Sequence, residues 1–427
     1  MTKSQGVSDM SVDTKTESKR LTIEGLSAES KRNREPDFLR ERRLIALDTW
    51  NQLPMPDRRD EIWRRVRMKG LDVTAFADTP GGLVSVGLGK ASAKGVFWGN
   101  VTRASKDIPN VLKAHWATTV YPAGDSGRAG RRGGKFHALN QALFDRGFVL
   151  HIPAGQRVAE PFRAYFGATG SESGVFPHNL VVLEEGAEAT LIENFADQTA
   201  GFCNPQTEVV LGAGARLNYV LLQREGSQTT HLAAHRVRLM KGAQVNLFSA
   251  HLGGALAKTF LDVELAEPGA NALLRGLYFG NGEQQIHIDT WQHHLAPECR
   301  SDLLLKGVLD DQAYGVYRGM IRLEEGAQKT DAYQQNRTLL LTDDACMHSI
   351  PGLEINADDV KCSHGATIGQ LDQEMLFYLR SRGLTLAQAR HAILEGFFEE
   401  VLVRFGAADV TESLREELHE LIGGVEH

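Results

Sequence analysis

Cysteine is scarce in this chain. Four residues, Cys203, Cys299, Cys346 and Cys362, are scattered through 427 positions, and none is spaced as Cys-x-x-Cys. Such spacing excludes a disulfide framework and a self-contained zinc or iron-sulfur site. Long apolar runs are missing too. No stretch approaches the 18 or more apolar residues of a membrane-spanning helix, and the polar, charged first residues form no signal-peptide core. A cytoplasmic protein with no membrane segment is expected. Nor is there an excess of positive charge: the formal net charge is -7, which argues against nucleic acid as a partner. The glycine-rich stretch Gly81 to Gly95 contains Gly89-Lys90-Ala91, but a phosphate loop needs Ser or Thr after the lysine. Nucleotide binding here is therefore not expected.

What the sequence has in abundance is repetition. Val181-Val-Leu-Glu-Glu-Gly-Ala187, Val209-Val-Leu-Gly-Ala-Gly-Ala215, Val237-Arg-Leu-Met-Lys-Gly-Ala243 and Ile321-Arg-Leu-Glu-Glu-Gly-Ala327 each place a Gly-Ala pair after a short apolar-alternating run. The glycines at 186, 214 and 242 are 28 residues apart, and a degenerate copy ends at Gly269-Ala270. A fixed period of this kind means stacked units. Within a unit, Val237, Leu239, Val245 and Leu247 alternate with Arg238, Met240, Gln244 and Asn246, the period of a half-buried strand. No helix of a dozen residues separates the units, so a doubly wound α/β sheet is not expected. Two architectures fit: rungs of a parallel β-helix, or antiparallel hairpins closed by the Gly-Ala turns. Recurrence of Val-x-Leu at one position favours rungs.

Composition shifts divide the chain. Residues 1–34 are rich in Ser, Thr, Lys and Glu and read as a disordered tail. Residues 35–148 read as a mixed, mainly helical domain. It opens with a helix from Pro36 that places Leu39, Ala46, Leu47 and Trp50 on one face, followed by a second short helix over Pro54 to Trp63. Arg128, Arg131 and Arg132 read as a mobile basic loop, and Ala138 to Phe144 as an amphipathic segment. Residues 149–366 are the repeat region, and from 367 to 427 the period changes to about 3.6. Asp372 caps one helix, which ends at Gly383, and Thr385 with Gln388 forms a capping box for the next.

The run Asp358-Asp-Val-Lys-Cys-Ser-His-Gly-Ala-Thr-Ile-Gly369, followed by Leu376-Phe-Tyr-Leu-Arg-Ser-Arg-Gly383, closely resembles the carboxy-terminal hallmark of the SufB/SufD family. Lys329-Thr-Asp-Ala-Tyr-Gln334, Asn336-Arg-Thr-Leu-Leu-Leu341, Leu353-Glu-Ile355 and His294-x-Ala-Pro297 add to the match, which extends from Pro36 to Ile422. The resemblance implies a right-handed parallel β-helix flanked by helical N- and C-terminal domains. The hand agrees with the crossover rule for parallel strands. SufB carries a cysteine in its Phe-Tyr-Cys element, where this chain has Leu379, a side chain that can neither bind iron nor accept sulfur. Leu53-Pro-Met-Pro56 and Arg59-Asp-Glu-Ile-Trp63 also resemble the SufD branch.

That branch implies a non-catalytic scaffold for iron-sulfur cluster assembly. It is expected to pair with SufB and to bind the SufC ATPase through its C-terminal helices, and to be a homodimer when alone. No cofactor is expected to be tightly bound by the chain itself. A transient iron-sulfur cluster would form at the SufB interface, ATP would sit on SufC, and reduced flavin would act within the complex.

His364 is the foremost site candidate. On a strand it shares a face with Cys362, two residues away, so a thiolate and an imidazole would reach one metal or a partner's ligand. The resemblance places His364 at the SufB interface as a metal ligand, with Cys362 the weaker candidate. The plainer readings are a hydrogen-bonding histidine at the last rung and an inert buried cysteine. Phe377, Tyr378, Arg380, Arg382 and Gly383 fall in the expected ATPase-docking region, although Phe377 and Tyr378 also suit ordinary helix packing. Cys203, Cys299 and Cys346 have no adjacent ligand pattern and read as structural. His231, His235, His287, His293 and His294 read as core or surface histidines, and Glu354 and Asp359 as carboxylates that could supply oxygen ligands. Two other functions fit the same architecture: a homodimer that binds iron through Cys362 and His364, and a carbohydrate-active β-helix protein.

Overall fold

The computed structural model of the chain describes residues 18–68, 71–81, 83–87, 95–119, 134–167, 173–197, 200–403 and 408–423. Residues 88–94 of the glycine-rich stretch and the cluster of Arg128, Arg131 and Arg132 lie outside the described residues.

The repeat folds as rungs. In chain order the strands are β1 (Leu83–Gly87), β2 (Phe97–Gly99), β3 (Val149–Ile152), β4 (Phe162–Gly167), β5 (Ser173–Val175), β6 (His178–Leu183) and β7 (Glu188–Phe195). There follow β8 (Gly201–Cys203), β9 (Gln206–Leu211), β10 (Arg216–Gln223), β11 (Thr230–Leu239), β12 (Gln244–His251), β13 (Leu256–Leu265) and β14 (Asn271–Gly280). The last are β15 (Gln285–His294), β16 (Arg300–Leu309), β17 (Tyr314–Leu323), β18 (Asp331–Leu340), β19 (Cys346–Ile355) and β20 (Lys361–Gly369). One sheet runs β1-β4-β7-β10-β12-β14-β16-β18-β20, and the other runs β19-β17-β15-β13-β11-β9-β6-β3-β2. Successive coils pair in parallel; antiparallel pairing among the described residues is confined to β1 with β4 and β2 with β3.

The turn chemistry follows the sequence. Gly186, Gly214, Gly242 and Gly269 all have positive φ, between 63° and 75°, where a Cβ would be strained. Each donates its N–H to a carbonyl in the corresponding turn of the next coil: Gly186 to Ala213, Gly214 to Lys241, Gly242 to Pro268 and Gly269 to Pro297. Ala187, Ala215, Ala243 and Ala270 follow and stack as a fully buried column. Gly326 departs from this scheme: it has no positive φ, and the left-handed residues in its part of the column are Glu298 and Lys329. Cys299 takes the alanine position after Glu298, with 1% exposure, which gives it a packing role.

Three large cores result. Inward residues such as Val209, Leu217, Val237, Val245, Val263 and Leu274 fill the solenoid. The outer face of the eleven-stranded sheet, including Leu232, Leu256 and Phe260, is covered by Trp63, Phe136 and Leu139 of the N-terminal region. Its helices are α1 (Ile23–Asn33), α2 (Asp37–Gln52), α3 (Val73–Asp78), α4 (Val101–Asp107), α5 (Pro109–His115) and α6 (Gly134–Leu143). The outer face of the nine-stranded sheet, including Val220, Phe248 and Phe279, is covered by α7 (Gln373–Ser381), α8 (Leu386–Leu402) and α9 (Ala408–Gly423).

The N-terminal region departs from expectation in three places. Order begins before residue 34: α1 is capped by Thr22 and buries Leu26, and Arg20 pairs with Glu29 at 2.7 Å. Pro54 to Trp63 forms turns held by the Asp57 and Asp60 side chains rather than a helix. The α6 segment is buried on all sides instead of being amphipathic.

Candidate functional site at the open end of the solenoid

Strands β19 and β20 are the outermost members of their sheets, so the last coil has no further coil to cover it. Residues that would face the interior in an earlier coil are exposed here. Ile321 and Leu323 are fully buried, but their register partners in β19, Leu353 and Ile355, are 37% and 41% exposed. Ile368, opposite buried Thr338, is 44% exposed. An uncovered edge that combines unpaired backbone groups with exposed apolar side chains is a template for pairing with another chain.

His364 and Cys362 lie on this end. In β20, Cys362 is in register with Ala332 and His364 with Gln334, both buried inward positions, so the two side chains share the lumen-facing row. His364 is exposed and Cys362 half-buried against the Ile321, Leu323 and Ala332 cluster. Burial raises the Cys362 thiol to about 11, so at neutral pH the uncovered chain presents a thiol here and not the expected thiolate. Glu354 pairs with Arg322 at 3.3 Å.

The C-terminal helices begin beside this end. Asp372 caps α7 through the N–H groups of Glu374 and Met375, and the Thr385–Gln388 capping box opens α8. Leu379 packs inward with the apolar cluster of these helices. Phe377 and Tyr378, by contrast, are 75% and 55% exposed, so neither is helix packing. Arg382 stacks over the Tyr378 ring at 5.2 Å, Arg380 is exposed, and Gly383 ends the turn with φ 99°. Together they form an outward apolar and cationic patch.

The other histidines singled out in the sequence, His231, His235, His287, His293 and His294, are all buried. His235 Nδ1 lies 2.7 Å from the Tyr219 hydroxyl, which donates to Glu193, and His294 Nε2 lies 2.8 Å from Ser301. Burial raises the Glu193 carboxyl to about 7, because Tyr219, Thr207 and Asn179 offset only part of the desolvation cost. Cys203 is less isolated than the sequence suggests: its sulfur, the Glu225 carboxylate and His231 lie within 4.8 Å of one another inside the solenoid. Cys203 and His231 are register partners one coil apart. The repeat period was the signal that could have joined them. Glu225 already accepts from Gln223 at 2.7 Å and meets His231 at 2.6 Å, and burial raises the Cys203 thiol.

Residues 166–397 match the family model described as "SUF system FeS cluster assembly, SufBD core domain". An iron-sulfur cluster assembly SufBD family protein of Mycobacterium tuberculosis is 30% identical over 389 residues, covering 88% of this chain and 92% of that protein. The iron-sulfur cluster assembly protein SufD of Escherichia coli is 32% identical over 289 residues, 66% of each chain. The chloroplastic protein ABCI7 of Arabidopsis thaliana is 31% identical, covering 64% of this chain and 60% of that protein. With this match across the solenoid and the near full-length relative, the chain belongs to the SufBD family of iron-sulfur cluster assembly proteins.

Proposed function

We propose that the chain is the SufD-type subunit of a cluster-assembly complex and acts as a scaffold rather than a catalyst. Its solenoid end would pair with a SufB-type subunit, and α7 to α9 would receive a SufC-type ATPase. The observation that carries this reading is the uncovered last coil, whose inward row exposes Leu353, Ile355 and Ile368 around His364. Covering that row removes apolar surface from water and completes both sheets, a strong drive toward one large partner. His364 would then be enclosed at the joint and offer imidazole to the nascent cluster, which is cargo. Cys362 would contribute only once a partner or metal lowered its proton affinity.

Leu379 supports the SufD assignment, since an apolar side chain there has no means to hold iron or sulfur. The outward Phe377, Tyr378, Arg380 and Arg382 support ATPase docking, because exposed aromatics and arginines are the residues enriched at interface centres. ATP would remain on the ATPase, and any reduced flavin would serve the complex. Co-expression with SufB-type and SufC-type partners tests the pairing. Wild type should co-purify with the SufB-type chain, whereas Ile368→Lys should stay folded but lose it. Undiminished pairing by Ile368→Lys together with Leu353→Lys would remove the solenoid end as the interface.

A further inference from the structure

The last two helices carry a side-chain cluster to which the proposed scaffold role assigns no part. His391 and Glu395 lie one turn apart on α8, and His419 on α9 faces them. His391 Nε2 is 3.0 Å from Glu395 Oε1, His419 Nδ1 is 3.1 Å from the same oxygen, and the two nitrogens are 2.8 Å apart. Glu395 is an exposed carboxylate and is ionised at neutral pH.

Three mutual contacts of this length cannot all be hydrogen bonds. If His391 Nε2 carries a proton and His419 Nδ1 does not, the edge from His419 to the carboxylate sets two acceptors against each other. With the tautomers reversed, the edge from His391 to the carboxylate does the same. If both nitrogens are protonated, the N–H groups collide. With neither protonated, three acceptors face one another, so every assignment leaves at least one side of the triangle repulsive. A cation at the centre makes all three sides favourable.

The spacing also identifies the class of cation. Metal–nitrogen and metal–oxygen bonds of about 2.1 Å separate ligands by roughly 3.0 Å at octahedral angles and by roughly 3.4 Å at tetrahedral ones. The observed separations match three adjacent octahedral positions. Two borderline imidazoles with one hard carboxylate are a donor set that suits divalent first-row transition ions, and the exposed side of the triangle leaves positions for water. We propose that His391, Glu395 and His419 form a binding site for a divalent first-row transition-metal ion that clamps α8 to α9.

The position gives the clamp a purpose. The two helices run antiparallel, and nearer their connection Arg415 already bonds Glu399 at 2.6 Å, a pair of opposite charges that needs no ion. His391 near the start of α8 and His419 near the end of α9 occupy the far end of the hairpin. A metal there ties the final turns of α9 to the body of the protein.

The test is equilibrium dialysis of the untagged full chain against Zn²⁺, with metal counted per chain. Wild type should hold one more Zn²⁺ than His419→Ala, and Glu395→Gln should lose the same ion. Cys203→Ser should keep it, which separates this site from the buried Cys203 group. Circular dichroism of each variant controls for folding, and His419 is exposed enough for substitution to leave the fold intact. Equal Zn²⁺ content in wild type, His419→Ala and Glu395→Gln would overturn the proposal, as would loss of the ion in Cys203→Ser.

Discussion

Gly307→Ala should damage the solenoid through a single ring. Gly307 of β16 is in register with Tyr278 of β14, both on the inward row, and the Tyr278 ring lies where a side chain at 307 would stand. An added Cβ would overlap the ring. By crossing that gap Tyr278 reaches β18, where its hydroxyl lies 2.6 Å from Thr338 Oγ1 and donates to Asn336 Oδ1 at 3.1 Å. Overpacking a core costs about 1–3 kcal/mol, and displaced buried hydrogen bonds add about 1–3 kcal/mol. Removing glycine's backbone freedom returns about 0.5–1 kcal/mol, so the net loss should be about 1–5 kcal/mol. The assay is a double-mutant cycle in urea with Gly307→Ala, Tyr278→Ala and the pair. In the Tyr278→Ala background the new methyl enters a cavity, its cost should fall near zero, and the coupling should equal nearly the whole single-mutant penalty. An equal cost in both backgrounds would refute the stacking argument.

Other perturbations probe the fold and the interface. Glu193 titrates at about 7 in the folded chain and near 4.5 unfolded, so between those values the folded state holds a proton the unfolded state has released. Its contribution is therefore greatest below pH 4.5 and is lost as pH rises to 7, at about 1.4 kcal/mol per unit. His251 is pushed by burial to about 3, so its contribution is full above pH 6.5 and is lost as pH falls. Urea curves at pH 5, 6 and 7 should accordingly show Glu193→Gln gaining on wild type as pH rises; parallel pH dependences would contradict a buried acid. Arg43 is fully buried, pairs with Glu35 at 2.7 Å and donates to the carbonyls of Ala142 and Phe144. Arg43→Ala leaves that carboxylate and those acceptors unpaired and should cost about 3–5 kcal/mol, measured by chemical denaturation. His364→Ala should leave thermal unfolding unchanged while cutting cluster yield in the reconstituted complex, and wild-type yield would remove His364 from the site.

The solenoid was legible because its earlier rungs place the same Gly-Ala pair at the same corner. Gly186, Gly214 and Gly242 repeat at 28 and adopt the same left-handed conformation. The drift in period was not legible, since Thr230 pairs with Leu256 at 26 residues but Tyr314 with Cys346 at 32. There the corner passes to Glu298 and Lys329, which hold positive φ without glycine's signature. Helix caps at Asp372 and Thr385 read directly from sequence because capping is local. The α1 helix did not, because its support comes from afar: Ser18 and the backbone of Arg20 bond Asp78, and the Arg20 guanidinium bonds the carbonyl of Leu143. In the candidate site, the row shared by Cys362 and His364 follows from strand alternation. That Phe377 and Tyr378 point outward depends on which face of α7 meets the solenoid, which sequence alone does not choose. The i, i+4 spacing of His391 and Glu395 was visible, but His419 joins them only through the pairing of α8 with α9.

The most direct test of the scaffold reading is native mass spectrometry of this chain co-expressed with SufB-type and SufC-type partners. The account predicts a complex containing one copy of this chain and one SufB-type subunit with the ATPase bound. A homodimer of this chain, with the partners assembling among themselves, would contradict it.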